Sequence, residues 1–211
     1  MGGVKKPLLP LAGDPLLLHT LRPFLAHPSV RSIAVALSRV EALDPPSWIG
    51  SLGEKVLVVE GGETRGDSVW AAIQALPDEV DVIAVHDAAR PLVTGEILDR
   101  CLEALGPSRG AVAGWPAVDT LKQVDDDTSV TATLPRATVW HAQTPQVFPR
   151  EVLVDAYRAA MDEGAVDTDD SALVERIGGE VVMVPGSPWN LKITRPEDLP
   201  LAEFLLGRGM E

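Results

Sequence analysis

Short apolar runs of strand type alternate with segments of helical period along most of this chain, and that alternation limits the fold more than any other feature. "SIAVALS" (32–38) and "KVLVVE" (55–60) read as buried strands, and "GDSVWAAIQAL" (66–76) then spaces Val69, Ile73 and Leu76 along one helical face. "DVIAVH" (81–86) is a strand again, "TGEILDRCLEALG" (94–106) a helix closed by glycine, and "GAVAGWP" (110–116) a further short strand. Later, "PREVLVDAYRAAMDEG" (149–164) opens on proline and stops at Gly164, while "TDDSALVERIGG" and "EVVMVPG" supply another helix and strand. The rhythm argues for an α/β fold with a mostly parallel sheet and helices on both faces. With 211 residues and 45% hydrophobic content, residues 1–211 are expected to form a single domain.

The rhythm breaks at about 118–143. "VDTLKQV", an acidic "DDD" and "TSVTATL" read as two alternating strands around a turn, an antiparallel arm inside a parallel fold. Two helix starts have local signals. Asp67 or Ser68 is the expected N-cap of the 66–76 helix, and Thr194 with Glu197 has capping-box spacing for the last one. Pro200, two turns into that last helix, should kink or delay it.

A net charge of −13 argues against a nucleic-acid binder, and no apolar run reaches the ~18–20 residues that cross a bilayer. The leucine-rich opening "MGGVKKPLLPLAGDPLLL" is broken by Asp14 and Pro15 and lacks a small-residue cleavage site. With Cys101 as the single cysteine, a cytoplasmic protein is expected.

An acidic chain that binds an anionic small molecule must gather its cations locally, and open α/β sheets bind ligands beyond the carboxyl ends of their strands. "VHDAARP" is such an end: Asp87 and Arg90 could face a ligand, or could form a surface pair worth ~0–1 kcal/mol. "EGGETRGDSV" (60–69) is another, with two glycines and a helix N-terminus that suits an anion. Thr120, Arg136 and Thr144 are anion-binding types that could equally be exposed polar positions. Lys192, among apolar neighbours in "NLKITRPED", is of a kind more often found snorkelling at an edge. His19, His27, His86 and His141 show no zinc spacing, and neither a G-x-S-x-G elbow nor a Walker-type loop occurs.

Together "GGETRGDSV", "VHDAARP", "DTLK", "WHAQTPQVF", "TDDSALVE" and "NLKITRPEDL" resemble, in order and spacing, the 2-C-methyl-D-erythritol 4-phosphate cytidylyltransferases of the non-mevalonate isoprenoid route. The resemblance covers essentially the whole chain. It implies a nucleotidyltransferase α/β fold, a homodimer formed through the arm, CTP and methylerythritol 4-phosphate as substrates, and Mg²⁺ as cofactor. By that resemblance Lys6, Lys192 and Arg136 are catalytic, with Lys6 stabilising the pentacovalent transition state. Gly61, Gly62, Glu63, Ser68 and Ala88 read the nucleotide. Asp87, Arg90, Thr120 and Thr144 contact the sugar phosphate, Asp87 also lying near the metal. Thr120 and Arg136 reach across to the partner's substrate. A cytidylyltransferase for another polyol phosphate, such as ribitol 5-phosphate, is the nearest alternative; a non-catalytic dimerising remnant is the other.

Two departures from the family pattern stand out. Glu63 takes the place of an aspartate. Family members also begin with a strand and a glycine-rich loop, roughly "AAGxGxRMG", and Met1 of this chain aligns inside that loop. The expectation is therefore a true start upstream of Met1, and in this sequence unpaired apolar edges on the strands flanking that position and weak CTP binding.

Overall fold

The computed structural model describes residues 6–164 and 169–208, leaving out the side chain of Lys6. Its first elements are the two-residue strands β1 (Pro10–Leu11) and β2 (Asp14–Pro15), which pair antiparallel, and α1 (Leu16–Ala26), which buries Leu16, Leu17, Thr20, Leu21 and Phe24 along one face. β3 (Ile33–Leu37), the short helices α2 (Arg39–Leu43) and α3 (Ser47–Gly50), β4 (Val56–Glu60) and α4 (Arg65–Ala75) follow. Next come β5 (Val82–Val85), α5 (Gly95–Ala104), β6 (Arg109–Pro116), the arm strands β7 (Lys122–Val124) and β8 (Val130–Thr133), and β9 (Trp140–Pro149). α6 (Arg150–Glu163), α7 (Asp170–Arg176), β10 (Glu180–Pro185) and α8 (Asp198–Leu206) complete the described chain. No helix among the described residues is long and apolar enough to cross a membrane.

The four-stranded sheet has the order β10-β6-β9-β5, with β10 parallel to β6 and β9 antiparallel to both its neighbours. α6 and α7 cover one face, packing Leu153, Tyr157 and Val174 on Ile83, Val112 and Phe148. α5 covers the other with Ile97, Leu98 and Cys101 against Ala111, Ala113 and Val147. Full burial of a side chain such as Phe148 contributes about 2–3 kcal/mol. α6 ends where Gly164 adopts φ +63°, a left-handed cap that a side chain disfavours.

β3 and β4 form a separate parallel pair rather than extending this sheet. Between β3 and β5 lies an apolar cleft of about 1070 Å³, roofed by Leu17, Leu21 and Phe24 of α1 and floored by Val69 and Ile73 of α4. The unpaired apolar edges expected from the sequence are those of β3 and β5. The two β units are thus joined through helices: Leu17 and Leu21 pack with Val35 and Leu37, and Ile73 packs with Ile83 and Val85.

The arm forms as an antiparallel pair with Lys122 opposite Thr133, and its turn is tied by Asp125, whose Oδ1 accepts from the amides of Asp127 and Ser129. Val118, Val124, Val130 and Leu134 are exposed along it.

Two helix starts differ from expectation. Thr64, not Asp67 or Ser68, caps α4: its hydroxyl accepts from the Asp67 amide at 3.1 Å while Asp67 accepts from the Thr64 amide at 2.9 Å. α8 begins at Asp198, not at Thr194. The Asp198 carboxylate accepts from the amides of Thr194 and Arg195 and stabilises a loop where the capping box was expected. The helix is thus delayed rather than kinked: Pro200 sits in its first turn, where its missing N–H has no helical partner to lose.

Candidate active site

The β5 strand delivers His86 and Asp87 to the carboxyl edge of the four-stranded sheet, and the turn 87–90 closes with Arg90 N–H donating to the Asp87 carbonyl at 3.0 Å. Asp87 is the hub. Lys192 Nζ lies 3.0 Å from its Oδ2, Arg90 Nε 3.4 Å from the same oxygen, and Arg65 Nε 3.4 Å from Oδ1. Burial alone would raise this carboxyl, but Lys192, then Arg65 and Arg90, outweigh it and hold Asp87 below the usual carboxylate range. Arg90 moves the other way: burial lowers it, and Asp87 offsets part of that.

Backbone and side-chain hydrogen bonds fix the hub from below. The Asp87 amide donates to Thr144 Oγ1 at 3.0 Å, and that hydroxyl is 2.9 Å from His86 Nδ1. His86 Nε2 is 3.2 Å from the Arg90 carbonyl, which can only accept, so Nε2 carries the proton and the Thr144 hydroxyl donates to Nδ1. Burial pushes the His86 pKa down to about 4, so it stays neutral in this role. Thr144 is 4% exposed with its proton already committed; the geometry makes it a support for Asp87.

The segment carrying Lys192 is locked in the same fashion. Asn190, fully buried, donates to the Thr144 carbonyl at 2.8 Å and accepts on its own carbonyl from Arg90 Nη1 at 2.8 Å. Ile193 N–H donates to the Ala89 carbonyl at 2.7 Å. Lys192 itself remains 44% exposed while paired with Asp87.

The β4–α4 loop carries Gly61, Gly62 and Glu63, and Ser68 stands in the first turn of α4; Arg65, Ser68, Asp87 and Ala88 all line the cleft. Gly62 is obligatory for packing, since a Cβ there would lie 2.1 Å from Asp67 Cβ. Ser68 Oγ donates to the Thr64 carbonyl, Glu63 is exposed, and the Ala88 carbonyl accepts from Thr20 Oγ1 at 2.9 Å. Thr120 and Arg136 stand on the arm, both exposed; Arg136 donates to the Val118 carbonyl at 3.0 Å, so the structure does not bring them to the Asp87 cluster. Lys6 opens a single 3-10 turn, and its side chain lies outside the described residues.

No group of three or more histidine, cysteine, aspartate or glutamate side chains among the described residues is arranged to hold a metal ion. A Mg²⁺ held largely by phosphate oxygens and water needs only one or two carboxylates, and Asp87 fits that need. Sequence reasoning did not single out Arg65, Asp170, Tyr157 or His86. Arg65 was visible as the first residue of the helix after the paired glycines, a place where a cation meets an anion-binding loop.

The family model described as IspD, 2-C-methyl-D-erythritol 4-phosphate cytidylyltransferase, matches residues 1–208. A 2-C-methyl-D-erythritol 4-phosphate cytidylyltransferase from Symbiobacterium thermophilum is 46% identical over 97% of this chain and 86% of its own length. One from Acidobacterium capsulatum is 44% identical over 95% and 87%. Among solved structures, 4-diphosphocytidyl-2C-methyl-D-erythritol synthase from Anaerococcus prevotii superposes with a TM-score of 0.89 at 26% identity, covering 99% of this chain and 92% of that one. The cytidylyltransferase from Thermus thermophilus gives 0.82 at 34% identity, covering 95% and 92%.

Proposed function

The chain belongs to the family of 2-C-methyl-D-erythritol 4-phosphate cytidylyltransferases, and from that premise we propose how its residues divide the work. The reaction moves a cytidylyl group from CTP to 2-C-methyl-D-erythritol 4-phosphate on the way to isoprenoids. An oxygen of the sugar phosphate bonds to the α-phosphorus, the bond to the bridging oxygen breaks, and pyrophosphate leaves with the released electron pair. Such a transfer needs little covalent help; it needs the two phosphates held in line and the growing negative charge met by cations.

The observation that carries the assignment is Asp87 in contact with three cations, one of them half-exposed. In this reading Lys192 leaves Asp87 when the substrates arrive and donates to the α-phosphate or the attacking oxygen. Arg90 stays, gripped by the Asn190 carbonyl, and faces the sugar phosphate. The Gly61–Gly62 loop serves the cytidine through the Gly62 amide, the Gly61 N–H being taken by the Leu37 carbonyl at 2.7 Å, with Ser68 beside it and Ala88 beside the ribose. Lys6 adds a second cation at the reacting phosphorus. Asp87 would hold Mg²⁺, which would supply neutralisation of phosphate charge.

The exposed valines of the arm support a homodimer in which Thr120 and Arg136 reach the partner's sugar phosphate. Arg136 is then a ligand contact across the interface. A cytoplasmic location fits a chain whose single cysteine, Cys101, forms no disulfide. The test is pyrophosphate release from CTP and Mg²⁺ with 2-C-methyl-D-erythritol 4-phosphate, with ribitol 5-phosphate as the competing acceptor. Release with the first and little with the second is expected; preference for ribitol 5-phosphate would reverse the substrate assignment.

A further inference from the structure

We infer that Asp170 and Tyr157 are positioning residues that aim the Arg65 guanidinium at Asp87, coupling the glycine loop to the strand end where the phosphates react. This rests on the reading of Asp87 as the reaction hub.

Arg65 is a charged side chain that crosses from α4 to the four-stranded unit. Its backbone opens α4, whose start is fixed by the reciprocal Thr64–Asp67 cap. Its Nε meets Asp87 Oδ1 at 3.4 Å, and its Nη2 meets Asp170 Oδ2 at 2.7 Å. One planar cation thus spans two carboxylates from distant parts of the chain. Burial would lower the Arg65 pKa, but the hydrogen bond and charge of Asp170, with Asp87, drive it well above its ordinary value.

Asp170 is fully buried, and both its oxygens are occupied: Oδ2 by Arg65 and Oδ1 by the Tyr157 hydroxyl at 2.5 Å. It therefore acts through Arg65, not on substrate. Its own place is set by neighbours. Asp169 caps α7 through the Ala172 amide at 3.0 Å, while buried Gln146 of β9 donates to Asp169 at 2.9 Å and accepts from the Ser171 amide at 3.0 Å. Tyr157 stacks on Trp70 of α4, ring centroids 5.8 Å apart, so the hydroxyl that fixes Asp170 belongs to a residue packed on Arg65's own helix. The loop is closed: α4 carries Arg65 and Trp70, Trp70 carries Tyr157, Tyr157 carries Asp170, and Asp170 carries Arg65.

A fixed Arg65 matters because the proposed reaction takes Lys192 away from Asp87. When Lys192 leaves Asp87, Arg65 and Arg90 are the side chains still holding the Asp87 carboxylate in place. A guanidinium not tethered by Asp170 would turn into water, since its side chain is 37% exposed.

Two measurements test this. The first is a double-mutant cycle in pyrophosphate release with Arg65→Ala, Asp170→Asn, Tyr157→Phe and both doubles containing Arg65→Ala. Each of the first two singles should lower kcat about 10–100-fold, and Tyr157→Phe several-fold, with the KM for CTP nearly constant; the doubles should be no worse than Arg65→Ala alone. The second is the side-chain Nε–H resonance of Arg65, expected to be protected in the wild type and to exchange rapidly in Asp170→Asn and Tyr157→Phe. Losses that multiply in the doubles, or an Arg65 resonance indifferent to Asp170, would overturn the inference. Should Asp170→Asn fail to fold, as circular dichroism would reveal, the Tyr157→Phe arm decides the question in the same way. A wild type with the protected resonance but no transfer to methylerythritol phosphate would sink the functional reading and leave the tether standing.

Discussion

The two sides of the cleft are built to different standards. On the β5 side, Asp87, Thr144, Asn190 and Arg90 are stitched by side-chain hydrogen bonds into a four-stranded sheet whose core holds Val112 and Phe148. On the β4 side, Gly61, Gly62, Glu63 and Ser68 ride on a two-stranded pair that reaches the rest of the molecule through α1, α4 and the Arg65 side chain. The β5 side is preorganised; the β4 side depends on what bridges the cleft. A site that must bring two phosphates into line gains its rate from positioning, so the bridge carries catalytic weight.

The sharpest way to break this contrast is Lys192→Ala. It removes a cation from the β5 side, and kcat should fall by ~10²–10³ while the melting temperature hardly moves, because the side chain is half-exposed. Full activity would mean that the Asp87 cluster is structural only. Next in size is hydrogen exchange: amides of β6 and β9, paired on both sides, should exchange at least about a hundredfold more slowly than the outward amides of β3 and β5. Equal protection would show that the cleft is closed in solution.

Phe148→Ala should destabilise the chain by about 3–5 kcal/mol in denaturant melts, because Phe148 is fully buried at the centre of the four-stranded sheet. Arg136→Ala should have a smaller, selective effect, raising the KM for the sugar phosphate about tenfold, for the loss of one charge-assisted contact, and that for CTP far less.

The subtlest prediction concerns pH. His86 titrates near 4 when folded and near 6.5 when unfolded, so between those values the unfolded chain binds the extra proton. Stability should thus decline as pH falls from about 6.5 towards 4, by on the order of 3 kcal/mol, and level off below. Asp87 adds its own loss at lower pH, since its folded pKa is depressed and its stabilisation disappears once it is protonated. His86→Gln should flatten the upper part of that slope.

Much of the fold could be read in the sequence because its signals are local. The apolar runs became strands within a residue or two, and the acidic turn marked the arm. The strand end at Asp87 and Arg90 was visible for the same reason: charge following an apolar run has few uses. Contacts such as Arg65 with Asp170, 105 residues apart, leave no periodic trace, and neither residue declares its partner. Thr144 shows the other limit. Its type suggested an anion contact, while only the geometry revealed that its proton goes to His86. Local rivals misled where two caps competed, at Thr64 against Asp67 and at Thr194 against Asp198.

The most direct test of the central claim is a crystal structure with 2-C-methyl-D-erythritol 4-phosphate and a non-reacting CTP analogue. The account predicts the sugar phosphate within hydrogen-bond distance of Arg90, Lys192 lifted from Asp87 onto phosphate, and Arg65 still bridging Asp87 and Asp170. A sugar phosphate bound elsewhere, with the Lys192–Asp87 pair intact, would contradict it.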